Sequence, residues 1–341
     1  MDSANPWYAA NAGSGTCGTM DTAFRSRILL MLTDLSHSTR PHRSWWRRLT
    51  ASDLPTALLF LLPTALILGV FAFYPIAAVI RLSLFKWNNM GPVQTFIGVD
   101  NYRVLFSSTR FWNSLLVTFE YAIVVTALSI FGGLILAVAL NQRWLVAKSL
   151  WRSLYFLPTI TPTVAAAMVW LLLFNPSFGY ANVVLRALGL PGPSWLADPM
   201  WALPTVMLLG IWRRVGFNLV IYLAALQALA LEHYEAAEVD GANAWQRFSH
   251  ITVPLVRPTT TMLVILGIID SFLVFDQIMV LTRGGPANAT EVIGFLMYLN
   301  AFSFFKMGYG AAIAVVMLVV IAIFTLAQWR ITGFGVSEID T

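Results

Sequence analysis

Apolar residues in this chain do not alternate with polar ones; they run together in long blocks. A helix needs about 20 such residues to cross a hydrocarbon core about 30 Å thick. Six blocks, near residues 56–80, 115–140, 154–174, 201–226, 259–281 and 310–329, meet or nearly meet that length. The pattern predicts an all-α polytopic membrane protein with six transmembrane helices, bounded at 51–335. A leader at 1–50 precedes it and a short tail at 336–341 follows. Pro63, Pro75, Gly132, Gly133, Pro158 and Pro162 fall inside the blocks. Membrane helices tolerate them because neighbouring helices re-satisfy the freed backbone groups. Pro158 and Pro162 together predict a kinked third span.

Composition supports this assignment. Of 341 residues 58% are hydrophobic and 11% charged, against roughly a quarter charged in soluble domains. The net charge of +5 comes from basic residues scattered between apolar blocks, so no nucleic-acid partner is expected. One cysteine, Cys17, excludes an internal disulfide and a cysteine-based zinc site. The segment 28–32 is too short for the core of a cleavable signal. The leader ends in Arg43-Ser44-Trp45-Trp46-Arg47-Arg48, which suits an anionic cytoplasmic membrane surface; a linker or a start at Met20 or Met31 fits equally. Six spans put both termini on one side. The basic cluster at Arg40–Arg48 and the basic loop 141–153 place that side in the cytoplasm. No internal repeat is present, so the paired halves of many secondary transporters are not expected. Six spans in one chain make a small pathway, which points to a partner chain.

The segment 232–254 joins spans four and five. Glu232 to Asp240 holds good helix formers and stops at Gly241, the residue that most readily turns left-handed. Ala244, Phe248 and Ile251 fall on one stripe of a second helix. Pro254 and Pro258 end the pattern before the next span. Such a pair can lie in the groove of another protein or rest on the headgroups.

Glu235-Ala236-Ala237, Gly241 after three residues, and Ile251-Thr252-Val253-Pro254 after nine more resemble the signature of the integral membrane subunits of bacterial binding-protein-dependent ABC importers. Val253 stands where that signature has Leu. Asn175-Pro176 with Gly179 and Asn182, Ala224-Ala225-Leu226-Gln227, and Leu281-Thr282-Arg283-Gly284-Gly285-Pro286 are similar to the branch importing sugars and glycerol phosphates, with Arg283 in place of Gly. The resemblance spans about 55–330 and implies a type I ABC importer transmembrane domain in the bacterial inner membrane. It implies a second six-helix permease as heterodimer partner, two ATPase subunits that bind ATP and Mg, an extracytoplasmic solute-binding protein and a polar small-molecule solute. It also implies that Glu235, Ala236, Ala237, Gly241, Ile251 and Pro254 couple the chain to the ATPase. The chain lacks a Gly-x-x-x-x-Gly-Lys-Ser/Thr phosphate loop, so it is expected to be no enzyme and to hold no cofactor or catalytic residue itself.

Charges inside spans cost about 2.5–3.5 kcal/mol each and mark functional sites by default. Arg213 and Arg214 lie near the middle of span four, and Arg214 shares a face with Asn218. On span five Asp270 and Gln277 share a face, with Asp276 about 120° away. These six residues are candidates for a polar pathway; the other reading is a structural bridge between an Arg and an Asp. The solute class stays open among sugars, glycerol 3-phosphate and glycerophosphodiesters. An ATP-independent transporter or channel would leave the 235–254 spacing unexplained. A membrane enzyme lacks support: the histidines (His37, His42, His233, His250) are dispersed, and Ile268-Ile269 precede Asp270 where an intramembrane aspartyl protease has a glycine-bearing motif.

Overall fold

A computed structural model describes residues 53–88, 94–142 and 145–332. The leader 1–50 and the tail 336–341 lie outside the described residues. The chain divides into two units, Met1–Ala72 and Phe73–Thr341. The described part of the first is helix α1 (Asp53–Leu68) and most of a π-turn (Gly69–Phe73) whose last residue opens the second unit. Leu59, Phe60 and Phe71 on it are exposed, as expected of a helix whose surroundings are apolar.

The second unit begins with α2 (Tyr74–Leu82) and a short hairpin, β1 (Phe85–Lys86) and β2 (Thr95–Phe96), in which Lys86 faces Thr95. A surface helix α3 (Asp100–Ser107) leads into the long α4 (Thr109–Asn141). There follow α5 (Lys148–Ile160), α6 (Thr163–Leu173), α7 (Tyr180–Ala187) and α8 (Pro199–Ala228). A two-helix connection holds α9 (Glu232–Val239), α10 (Ala244–Arg247), a π-turn and α11 (Val253–Leu255). The rest is α12 (Arg257–Phe272), α13 (Asp276–Leu281), α14 (Ile293–Tyr298) and α15 (Met307–Thr332).

Among the described residues four continuous helices are long and apolar enough to span a membrane, at Leu58–Leu82, Thr109–Asn141, Pro199–Ala228 and Met307–Ile331. Two bent pairs bring the total to six. The all-α, six-span expectation therefore holds, with a sharper third span than a kink. α5 and α6 meet at 95°. Thr161 is driven into extended backbone (φ −71°, ψ 131°) by the following Pro162, whereas Pro158 stays inside α5.

Span five departs from the expected continuous helix at 259–281. It ends at Phe272 and resumes at Asp276 with no Pro or Gly between. The break is made by packing. The ring of Phe275 lies 4.8 Å from Tyr298 and stacks on Phe295 at 6.2 Å. The start of α14 also comes so close that a Cβ on Gly294 would sit 3.0 Å from the Val274 carbonyl. Tertiary contact here overrides helix propensity. The apolar helix Ile293–Ser303 is too short to cross at 1.5 Å per residue.

The core of this unit lies along α4, α8, α12, α14 and α15, with Phe111, Leu209, Leu219, Tyr222, Leu263, Phe272, Ile293 and Ile313 almost fully buried. Apolar association has no water to drive it here, so close backbone approach decides helix pairing. Gly216 of α8 shows this: a Cβ there would overlap the Tyr155 carbonyl of α5. Gly216→Ala is expected to cost about 1–3 kcal/mol by overpacking. The melting temperature of the purified permease should fall, while Gly132→Ala, 3.4 Å from the Val215 side chain, should leave it unchanged. Equal melting of the two variants would remove Gly216 from the α5–α8 contact.

Candidate functional site

A cavity of ≈ 380 Å³ opens where α4, α5, α8, α12 and α13 approach one another. α8 supplies Arg213 and Arg214, α12 supplies Asp270, and α13 supplies Asp276 and Gln277. Two guanidinium groups and two carboxylates leave the wall close to neutral. Arg214 pairs with Asp270 through its Nη1. The two ends of that pair differ: the Arg214 side chain is 11% exposed and that of Asp270 64%. Arg214 Nε and Nη2, and Arg213 Nε, are buried with no hydrogen-bond partner. Buried donors of this kind are costly unless something satisfies them. Thr159 Oγ1 donates to the Arg213 carbonyl at 2.9 Å and so fixes α5 against α8. Gln277 Nε2 donates to the Tyr121 hydroxyl.

Five of the six pathway candidates thus share one cavity wall, but not for the reason the helical wheel gave. On a continuous helix Asp276 would point about 120° from Asp270; the break after Phe272 turns α13 so that Asp270, Asp276 and Gln277 all line the same space. Asn218 is the correction. It is fully buried, does not line the cavity, and donates to Ser129 Oγ at 3.1 Å, tying α8 to α4. The structural bridge between an Arg and an Asp is present as Arg214–Asp270, inside the same cavity as the other candidates.

Tyr121, Thr159, Ser271, Phe217 and Phe275 also line the cavity and were not singled out from sequence. Tyr121 left a signal. Ser114, Thr118, Tyr121, Thr126 and Ser129 recur at helical spacing in an apolar span, and all are buried. A polar seam of that period marks the inward face of α4.

At the other end of α4, Asn141 and Gln142 meet the 232–254 connection around a second cavity of ≈ 490 Å³. The connection is built by two end-stop motifs. After α9, Ala242 N–H reaches the Ala237 carbonyl at 2.9 Å and Gly241 N–H the Glu238 carbonyl at 3.1 Å. That is the Schellman pattern, which requires a left-handed residue at Gly241; its φ is +78°. Asn243 and Gln246 then form a reciprocal capping box that starts α10, with bonds of 2.9 and 2.8 Å.

Glu235 lines the second cavity beside Glu238, and Arg247 bridges to Glu238 at 3.2 Å. The Tyr234 and Thr252 hydroxyls are 3.1 Å apart, closing the hairpin of helices. Ala236 is exposed and Ala237 half-buried; Ile251 is half-buried in the π-turn and Pro254 exposed in α11. Of the stripe read from sequence, Phe248 and Ile251 are half-buried but Ala244 is exposed. Phe248 packs on the cluster of Leu134, Tyr222 and Leu263. Val239 is 89% and Trp245 72% exposed, leaving apolar surface on a connection that is otherwise polar.

Residues 129–331 match the family described as binding-protein-dependent transport system inner membrane component. The trehalose/maltose transport system permease protein MalF of Thermococcus litoralis is 34% identical over 276 residues, 81% of this chain and 93% of that protein. The arabinooligosaccharides transport system permease protein AraP of Bacillus subtilis is 34% identical over 297 residues, 85% of this chain and 93% of that one. Among solved structures, a bacterial ABC transporter involved in the import of the acidic polysaccharide alginate has a chain with TM-score 0.69. It is 26% identical, over 84% of this chain and 99% of that one. These matches extend across both cavities, and they show that the chain belongs to the inner membrane permease components of binding-protein-dependent ABC transporters.

Proposed function

We propose that this permease forms one half of a translocation pathway for a sugar or glycerol-phosphate-type solute and is driven by a separate ATPase through the 232–258 connection. The observation that carries the reading is the cavity wall at Arg213, Arg214, Asp270, Asp276 and Gln277. It is a near-neutral set of strong hydrogen-bond donors and acceptors in the interior of an otherwise apolar span bundle. Hydroxyl-rich solutes satisfy such groups bidentately, and Phe217 and Phe275 line the same space beside them. The relatives named for trehalose/maltose and arabinooligosaccharide transport support that solute class.

On this reading ATP and Mg are bound by the partner ATPase, whose stroke reaches Glu235, Ala236, Ala237, Gly241, Ile251 and Pro254. Asn141 and Gln142 at the end of α4 meet the same cavity as Glu235, giving the connection a lever on the span that carries Tyr121. The basic residues of the connection and of the 141–153 segment support a cytoplasmic side for both, with the termini. An extracytoplasmic solute-binding protein delivers the solute from the opposite side.

One cavity wall does not enclose a pathway, so a second six-helix permease completes it. Mass spectrometry of the purified complex should find two different permease chains, one of them this one, with two ATPase copies. A complex holding only this permease species would contradict the heterodimer. Uptake in proteoliposomes should require the solute-binding protein, and binding-protein-independent uptake would contradict the importer reading.

A further inference from the structure

Glu120 lies on the outward side of α4 in a stripe that is otherwise apolar. Trp112, Leu116, Ile123, Phe131 and Ile135 are exposed along the same helix, at the spacing of one face. Glu120 is exposed with them, and no ion pair or hydrogen bond to it is recorded among the described residues. Its depth follows from the cations at one end of the bundle. Lys86, just past α2, Arg110, at the start of α4, and Lys306, just before α15, line one cavity of ≈ 600 Å³. Basic side chains at the ends of spans sit at headgroup level. Glu120 is ten residues along α4 from Arg110, so it lies about 15 Å deeper at 1.5 Å per residue. That is the middle of a hydrocarbon core about 30 Å thick.

A carboxylate in that place does not face acyl chains. Charged groups at mid-depth face protein or water, and each needs a partner. We propose that the Glu120 stripe is covered by the second transmembrane subunit, which presents a basic side chain to Glu120. The inference rests on the two-permease reading above and adds the face and the contact residue. Charge complementarity selects the occupant, because lipid supplies no group able to satisfy a carboxylate at this depth. It also explains why one acid stands in an apolar stripe. The apolar residues give area without specificity in a membrane, while a charge with one matching partner fixes register.

The test uses the whole transporter in nanodiscs, with Cys17→Ser and Glu120→Cys in this chain. A maleimide–benzophenone attached to the thiol at residue 120 and photoactivated, which inserts into C–H bonds and needs no second thiol, should be found by mass spectrometry joined to the second permease. A brominated-acyl phospholipid should quench a fluorophore at 120 no more than the two-subunit background. In variants retaining all other residues, Glu120→Gln should lower the fraction of paired permeases about fivefold and Glu120→Lys further. Strong quenching without a cross-link means that the stripe faces lipid, and overturns the inference. Labelling of position 120 by a charged, membrane-impermeant thiol reagent without a cross-link means that it faces the water-filled pathway, and overturns it as well. A cross-link between two identical copies would instead overturn the heterodimer while keeping the interface. Should Glu120→Lys fail to accumulate, the Glu120→Cys cross-link and the Glu120→Gln pairing decide alone.

Discussion

Replacing Arg214 with Ala lowers solute uptake by tenfold or more while the complex still assembles and its basal ATPase persists. The geometry separates transport from folding because the two ends of the Arg214–Asp270 pair differ. Asp270 is 64% exposed, so its carboxylate stays hydrated when the guanidinium is removed. A pair with one end in water contributes only about 0–1 kcal/mol. Transport loses more. Arg214 Nε and Nη2 are unpartnered on a side chain that lines the cavity. A solute accepting from them forfeits about 1.5–3 kcal/mol per charge-assisted bond, and 1.4 kcal/mol is a factor of about ten. Uptake by proteoliposomes, read beside gel filtration of the complex, measures both quantities. Loss of assembly would assign Arg214 to the fold. Recovery of uptake in Arg214→Ala combined with Asp270→Ala would assign the pair to a structural bridge.

Gly241→Trp inserts and folds normally, yet ATP-driven uptake is abolished. Its left-handed φ of +78° makes any β-carbon cost about 1–2 kcal/mol, a local strain in a polar connection that the bundle can absorb. Among the described residues nothing lies within 4 Å of a Cβ at that position, so the indole meets open space beside them. The damage must therefore arise where another protein approaches. Gly241→Ala carries the same backbone strain without the bulk and should retain most of the uptake, which separates strain from docking. ATP hydrolysis by Gly241→Trp should be uncoupled from uptake or lost. Uptake at the wild-type rate would mean that this turn does not carry the stroke.

Membrane class and the number of spans were legible because the same property, an unbroken apolar block, causes both insertion and helix formation. Pro162 was legible as a bend since its effect on Thr161 is local. The break at Leu273–Phe275 was not, because no residue there forbids a helix; Phe295, Tyr298 and Gly294, some twenty residues on, impose it. That break also changed the site. A helical wheel separated Asp276 from Asp270, and only the reorientation of α13 joins them at one cavity. Asn218 misled for the opposite reason. A polar residue one turn from Arg214 shares its face roughly, but burial against Ser129 on α4 takes it out of the cavity. The 232–254 connection was readable at Gly241, where a turn demands one residue type. Its partner contacts were not, since exposure of Val239 and Trp245 depends on what the rest of the chain leaves uncovered.

Site-specific cross-linking decides whether the Glu235–Pro254 connection docks on the ATPase as proposed. With Cys17→Ser removing the native thiol, Ala237→Cys is paired with single cysteines along the cleft of the partner ATPase. Ala237 is half-buried at the end of α9 beside the Gly241 turn, so only a closely seated partner brings a second thiol within reach. A disulfide should form in the resting complex at one or two cleft positions, change in yield with ATP, and disappear in Gly241→Trp. No disulfide at any cleft position, together with full uptake by Gly241→Trp, would contradict the coupling assignment.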